Sequence, residues 1–202
     1  MDRLYTIGYS GFSIIDFISI LKNYKIQVLV DVRSIPHSQY FEDYNEENLS
    51  YELRNAGIVY RNYKDNLGAR PNNKKYYPKG FLDFELFSKS QEFLEGFEKV
   101  KGIIKKGYVV AIMCAEKDPL ICHRTNLIAK AFYEANFEII HIMPEGKTCS
   151  QQDIEKRLLD KFFPDRKQLN LFEQLTEEDY IKQAYRKQNE KIGFNIEKEE
   201  TK

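Results

Sequence analysis

Tyr108-Val109-Val110-Ala111-Ile112-Met113-Cys114 is the stretch that decides the fold. An apolar run of this kind, entered from Gly107 and left through Cys114-Ala115-Glu116, reads as a strand covered on both faces, the habit of parallel sheets. Upstream, residues 84–105 carry Phe87, Phe93, Leu94, Phe97, Val100, Ile103 and Ile104 on one long helical stretch. Downstream, residues 125–136 repeat the helical pattern with Leu127, Ile128, Ala131 and Phe132, and Phe137-Glu138-Ile139-Ile140-His141-Ile142-Met143 is again strand-like.

The same alternation extends to the amino terminus. Leu4-Tyr5-Thr6-Ile7-Gly8-Tyr9 is β-prone, and Ser13 can cap a helix whose apolar face is Ile14, Phe17, Ile18 and Leu21. Ile26-Gln27-Val28-Leu29-Val30-Asp31-Val32 is a second central strand, followed by a helix over 46–55 that Gly57 ends and a third strand over 58–63. Strands alternating with helices predict an α/β fold: one Rossmann-like three-layer domain over 1–163, with a mostly parallel sheet of about five strands and helices on both faces. Residues 164–202 form a helical or flexible tail. Tyr9, Ser10, Asp31, Arg33 and Cys114 would then gather at the carboxyl ends of the strands, where open sheets bind ligands.

A chain of 202 residues, 42% of them hydrophobic, can bury one full core. No apolar run approaches the roughly 20 residues of a membrane span, and the start lacks the build of a signal peptide, so a cytoplasmic protein with no membrane partner is expected. Three cysteines are too few and odd in number for a disulfide framework, which points to reduced thiols. With 31 basic against 31 acidic side chains, net charge gives no pull toward nucleic acid. A local basic patch would be needed, and residues 66–79, with four basic side chains and two tyrosines, are one place to seek it. A solvated, mobile loop is the other reading of that stretch.

Chemistry concentrates between Cys114 and Arg124. Cys122, Cys114, Glu116 and His123 are the candidate catalytic groups, because a thiol near a helix N-terminus beside His123 and Arg124 has a setting that favours its thiolate. Zinc could accept both thiolates and the imidazole, but cysteines eight positions apart lack the short spacing of structural zinc sites, and no metal ligand is assigned. The same spacing departs from the redox C-x-x-C pattern. Arg33 and Arg124 are candidates for holding an anionic group, with Asp31 orienting Arg33. Tyr9 and Ser10 complete the binding set, and no cofactor is assigned. His141, inside an apolar strand, reads as a core or rim histidine.

Taken together, Thr6-Ile7-Gly8-Tyr9-Ser10, Val30-Asp31-Val32-Arg33-Ser34, Leu67-Gly68, Met113-Cys114-Ala115-Glu116, Cys122-His123-Arg124 and His141-Ile142 resemble the domain of unknown function 488 family. The resemblance implies an α/β fold and a shared motif set, and no settled reaction. In the tail, Gln168-Leu169-Asn170-Leu171-Phe172 resembles the bacterial sliding-clamp pentapeptide, with Gln168 for polar contacts and Leu169, Leu171 and Phe172 as apolar anchors. Two functions follow as expectations. One is a nucleotide or nucleic-acid processing enzyme, associated with DNA repair. The other is a noncatalytic nucleotide- or metal-binding module recruited to a partner through its tail.

Overall fold

The computed structural model describes residues 2–166 and 175–196, so residues 168–172 lie outside the described residues. In chain order the elements are β1 Arg3–Gly8, α1 Ile14–Asn23, β2 Val28–Asp31, α2 Glu46–Asn55, β3 Val59–Asn62, α3 Lys64–Leu67, α4 Phe84–Phe87, α5 Gln91–Lys105 and β4 Val110–Cys114. A π-helical turn, Arg124–Ala129, then leads into α6 Lys130–Glu134, followed by β5 Glu138–Ile142, β6 Thr148–Ser150, α7 Gln151–Phe162 and α8 Glu177–Ile192.

The sheet order is β3-β2-β4-β1-β5-β6, parallel except for β6, which runs antiparallel to β5. The strands expected to be central are so: every residue of β2 and β4 is buried. One face packs against α1 and α2 through Phe17, Leu21, Leu49 and Leu53. The other packs against α5 and α6 through Phe93, Val100 and Phe132. This is the three-layer α/β arrangement that the alternating pattern implies.

From β1 the chain runs over one face to β2. From β4 it runs over the opposite face to β5. The adjacent carboxyl ends of β1 and β4 therefore form the topological switch point, and their register sets Gly8 opposite Cys114.

Several expectations change in detail. The helix read over 84–105 is two helices, because Asp83 caps the first by accepting from Leu86 N and Ser90 restarts the second by accepting from Phe93 N. The helix read from residue 125 opens as a π turn. A sixth strand exists where three polar or small residues, Thr148 to Ser150, gave no apolar run to read; Ser150 then forms a capping box with Asp153 at the start of α7.

Tyr76 and Tyr77, read as aromatics of a basic loop, are core residues at 2% and 7% exposure, their hydroxyls donating to Glu92 and to the Pro71 carbonyl. Their rings are therefore not available to stack on bases. Helix α8 docks on the domain: Ala184 and Tyr185 pack with Ile154, Leu158 and Leu120, while Gln188 donates to Leu120 O and Asn189 to Leu82 O.

Candidate metal centre at the switch point

Cys114 is the last residue of β4, and the chain after it folds back over the strand ends. Ser10 N donates to Ala115 O, and Asp118 accepts from Leu120 N to open a one-turn 3₁₀ segment at Pro119. Arg157 on α7 holds the Asp118 carboxylate through two bonds of 3.0 and 2.7 Å. The reversal returns Cys122 and His123 to Cys114. The two sulfurs and one imidazole nitrogen all lie within 4.8 Å of one another, so the eight-residue separation is no obstacle in space.

The approach is tight enough to dictate one residue of β1. A Cβ built on Gly8 would stand 1.8 Å from Glu116 O, so only glycine lets the returning backbone lie across the strand end.

His123 is oriented by a backbone carbonyl. Its Nε2 donates to Val32 O at 3.1 Å, and because a carbonyl can only accept, the proton sits on Nε2 and Nδ1 is turned toward the thiols. Nδ1 lies 3.8 Å from Cys114 Sγ and 4.0 Å from Cys122 Sγ. Thiolate and imidazole ligands of a tetrahedral zinc ion are separated by roughly 3.5 Å, given Zn–S of about 2.3 Å and Zn–N of about 2.0 Å. Both imidazole–sulfur distances are therefore close to the spacing an ion would impose.

Burial opposes ionisation of Cys122, but a hydrogen bond from Cys114, the Arg124 guanidinium and His123 outweigh it and hold this thiol well below its ordinary pKa. Cys114 moves the other way: its hydrogen bond to Cys122 and its burial push it up. Burial and the neighbouring Cys122 also raise Glu116. Cys122 Sγ and Glu116 Oε2 are 2.9 Å apart, a separation at which a single shared proton relieves the repulsion of two anions. For His123, burial disfavours the cation, yet the hydrogen bond and charge of Cys122 outweigh it and raise its pKa.

Arg124 is fully buried. Its Nη1 donates to Glu116 O at 2.7 Å, while Nε and Nη2 find no acceptor among the described residues. A guanidinium in this position needs negative charge nearby, and Cys122 and Glu116, whose Oε2 lies 4.0 Å from Nη1, are placed to supply it. Arg124 therefore faces inward, and does not stand at the rim as a clamp for a solvent-borne phosphate.

Arg33 lies at the neighbouring strand end with its Nε and Nη2 on the Asp31 carboxylate, and Tyr60 OH also donates to Asp31. This is the geometry an orienting aspartate requires. The Arg33 guanidinium sits 5.2 Å from the centroid of the Tyr9 ring. Burial weakens Arg33 as a cation, but its bonds to Asp31 more than restore it and raise its pKa. Ser10 meets the site through its backbone amide. His141 is buried elsewhere, between Thr6 and Gln151.

Two contributors had no sequence assignment. Val32 acts through its carbonyl, for which side-chain identity carries no signal. Asn126 donates both Nδ2 protons, to Leu120 O and Cys122 O, and its backbone amide also donates to Cys122 O, so this residue ties the segment around Cys122 to the first turn of the helix. An asparagine four residues after Cys122 was the available signal.

Fold and site together define an α/β protein with a thiol–imidazole–carboxylate cluster at a topological switch point. Residues 13–131 match the family described as "Domain of unknown function DUF488", and the chain belongs to that family. The matched span contains Cys114, Glu116, Cys122, His123 and Arg124. No curated protein and no solved structure gives a match. Among the described residues, no helix is long and apolar enough to cross a membrane.

Proposed function

We propose that this protein is a metal-dependent hydrolytic enzyme in which Cys114, Cys122 and His123 hold one divalent transition-metal ion and Glu116 carries the proton. The observation that supports this best is the convergence of two sulfurs and Nδ1 within 4.8 Å, with the other imidazole nitrogen tied to Val32 O. Soft thiolates with one imidazole favour zinc. Three protein donors leave a fourth position open, the feature that separates catalytic from structural zinc sites. Glu116 lies beside the cluster, its Oε2 2.9 Å from Cys122 Sγ and its side chain 40% exposed, so a substrate can reach it.

On this reading the substrate is a nucleotide or nucleic acid. Support comes from residues 168–172, which in the sequence read as a recruitment peptide for a sliding clamp, and an association with DNA repair rests on that peptide. Reduced thiols at the centre suit a cytoplasmic setting.

Elemental analysis tests the reading. Full-length protein purified under reducing conditions should carry near one equivalent of zinc, and Cys114→Ser and Cys122→Ser should each lose most of it while keeping the wild-type circular dichroism spectrum. A protein that neither carries nor takes up a transition metal ends the proposal. Glu116→Gln separates the enzyme from a noncatalytic metal module: metal should stay and turnover fall by about 100-fold or more.

A further inference from the structure

We infer that the groove between α5, α6 and α8 binds an apolar monocarboxylate, a molecule with a hydrocarbon body and one anionic head, at a site separate from the thiol–imidazole cluster. The inference does not depend on the metal-centre reading. A cavity of about 470 Å³ lies in this groove, walled by Phe93, Leu94 and Phe97 of α5, Leu127 of the π-helical turn, Ala131 of α6 and Tyr185 of α8. Its volume falls within the range of small-molecule sites, about 300–1,000 Å³. None of Cys114, Glu116, Cys122 and His123 lines it.

The space stays open because α8 docks elsewhere. Ala184 and Tyr185 pack with Leu120 and with Ile154 and Leu158 of α7, whereas Phe93 and Leu127 belong to a different apolar cluster, the one on the α5–α6 face of the sheet. Asn189 holds the helix in place by accepting from Phe84 N and donating to Leu82 O, and Gln188 donates to Leu120 O. Water between such walls has few polar partners, so a hydrocarbon that displaces it binds favourably. Leu94 is 49% exposed and offers apolar surface for the ligand to cover.

Charge at the open side of the cavity selects the head group. Glu85, Lys89 and Arg186 all line it, and the one carboxylate serves both cations: Lys89 Nζ lies 3.5 Å from Oε1 and Arg186 Nη2 3.1 Å from Oε2. Lys130 and Lys182, also in the lining, each have a carboxylate of their own in Glu134 and Glu178. Among these described groups one positive charge is therefore in surplus. A single carboxylate neutralises it, a cation is repelled, and a dianion leaves an excess of negative charge. Lys89 and Arg186 are largely exposed, so both can turn to a bound head group without breaking a buried contact, and the guanidinium fork matches a carboxylate.

The test is isothermal titration calorimetry of full-length protein with hexanoate, octanoate and decanoate, and with decanol and decylammonium as head-group controls. Each added methylene should tighten binding about fourfold, the equivalent of about 0.8 kcal/mol. Decanoate should bind about two- to fivefold more tightly than decanol, and Lys89→Gln combined with Arg186→Gln should abolish that difference without changing decanol. Leu94→Glu, at an exposed position, should keep the wild-type circular dichroism spectrum and weaken decanoate by at least about tenfold. Folded protein that binds no decanoate at about 1 mM overturns the inference, as does an affinity that stays constant from hexanoate to decanoate. Decylammonium binding as tightly as decanoate also overturns it, since the cavity would then not select an anion. If Leu171→Ala with Phe172→Ala raises decanoate affinity by about tenfold or more, the chain's own segment is the occupant and the inference falls.

Discussion

Single residues carry the tightest constraints in this protein. Gly8 is one: with Glu116 O where its Cβ would be, Gly8→Ala must push the returning backbone off the strand end and carry Glu116 and Arg124 with it. We expect roughly 2–4 kcal/mol of destabilisation in urea, in the range of buried steric conflicts, together with loss of metal. Wild-type stability with full metal content would show that the crossing is looser than described. Asp31 is another. It is fully buried, with Arg33 beside it at 5% exposure, so Asp31→Asn leaves a buried guanidinium unpaired and should cost about 3–5 kcal/mol. A loss below about 1 kcal/mol would mean that Arg33 reaches solvent.

His141 sets a pH dependence. Its Nε2 faces Gln151 Oε1, Gln151 Nε2 in turn donates to Tyr185 OH, and Thr6 Oγ1 lies 2.8 Å from Nδ1. Burial depresses its pKa to about 4, against the Gln151 hydrogen bond and with Arg124, Cys122 and Asp153 as the charges that act on it. The unfolded chain titrates near 6.5 and therefore binds the proton first. The stabilising contribution is full above about pH 6.5 and is lost as pH falls through about 4, roughly 3 kcal/mol in all. Urea titrations of wild type and His141→Gln at pH 7 and pH 4 should show the steeper loss in wild type. Parallel losses would assign the acid sensitivity to other groups.

Elements differ in how openly their residues announce them. Strands β2 and β4 were legible because burial on both faces demands continuous aliphatics, and α1 and α2 because a cap or a terminal glycine frames an apolar stripe. The split between α4 and α5 was also present, in Asp83 and Ser90, but apolar residues on both sides of the break masked it. Strand β6 was not legible: it holds an edge through backbone bonds to β5, and such pairing needs no particular side chain. Asn126 ties the segment around Cys122 to the first turn of the helix through two side-chain bonds, to Leu120 O and Cys122 O. Asn126→Ala should remove both, loosen that segment and displace Cys122. Metal affinity should fall by about 10- to 100-fold, the usual effect of removing an outer-shell support, with a stability loss of about 1–3 kcal/mol. Unaltered affinity in competition with a chelator would show that the turn does not position the thiolate.

For the whole molecule, topology does more than composition to place the chemistry. Charges of 31 and 31 cancel and point to no partner. The reversal of strand order between β1 and β4 opens a crevice, and the segment from Cys114 to Arg124 fills its edge. Cys114, Glu116, Cys122 and His123 could be grouped from sequence because they share one short segment. Their relation to Val32 and Gly8 could not, since it runs through carbonyls and a missing Cβ. Arg124, read as a rim cation, is fully buried with Nη1 on Glu116 O.

The measurement that tests the central claim most directly is X-ray absorption at the edge of the metal bound to full-length protein. Two sulfur scatterers at about 2.3 Å and one imidazole nitrogen at about 2.0–2.1 Å, with one sulfur lost in Cys122→Ser, are what this account predicts. A shell of oxygen and nitrogen alone, or one that Cys122→Ser leaves unchanged, would contradict it.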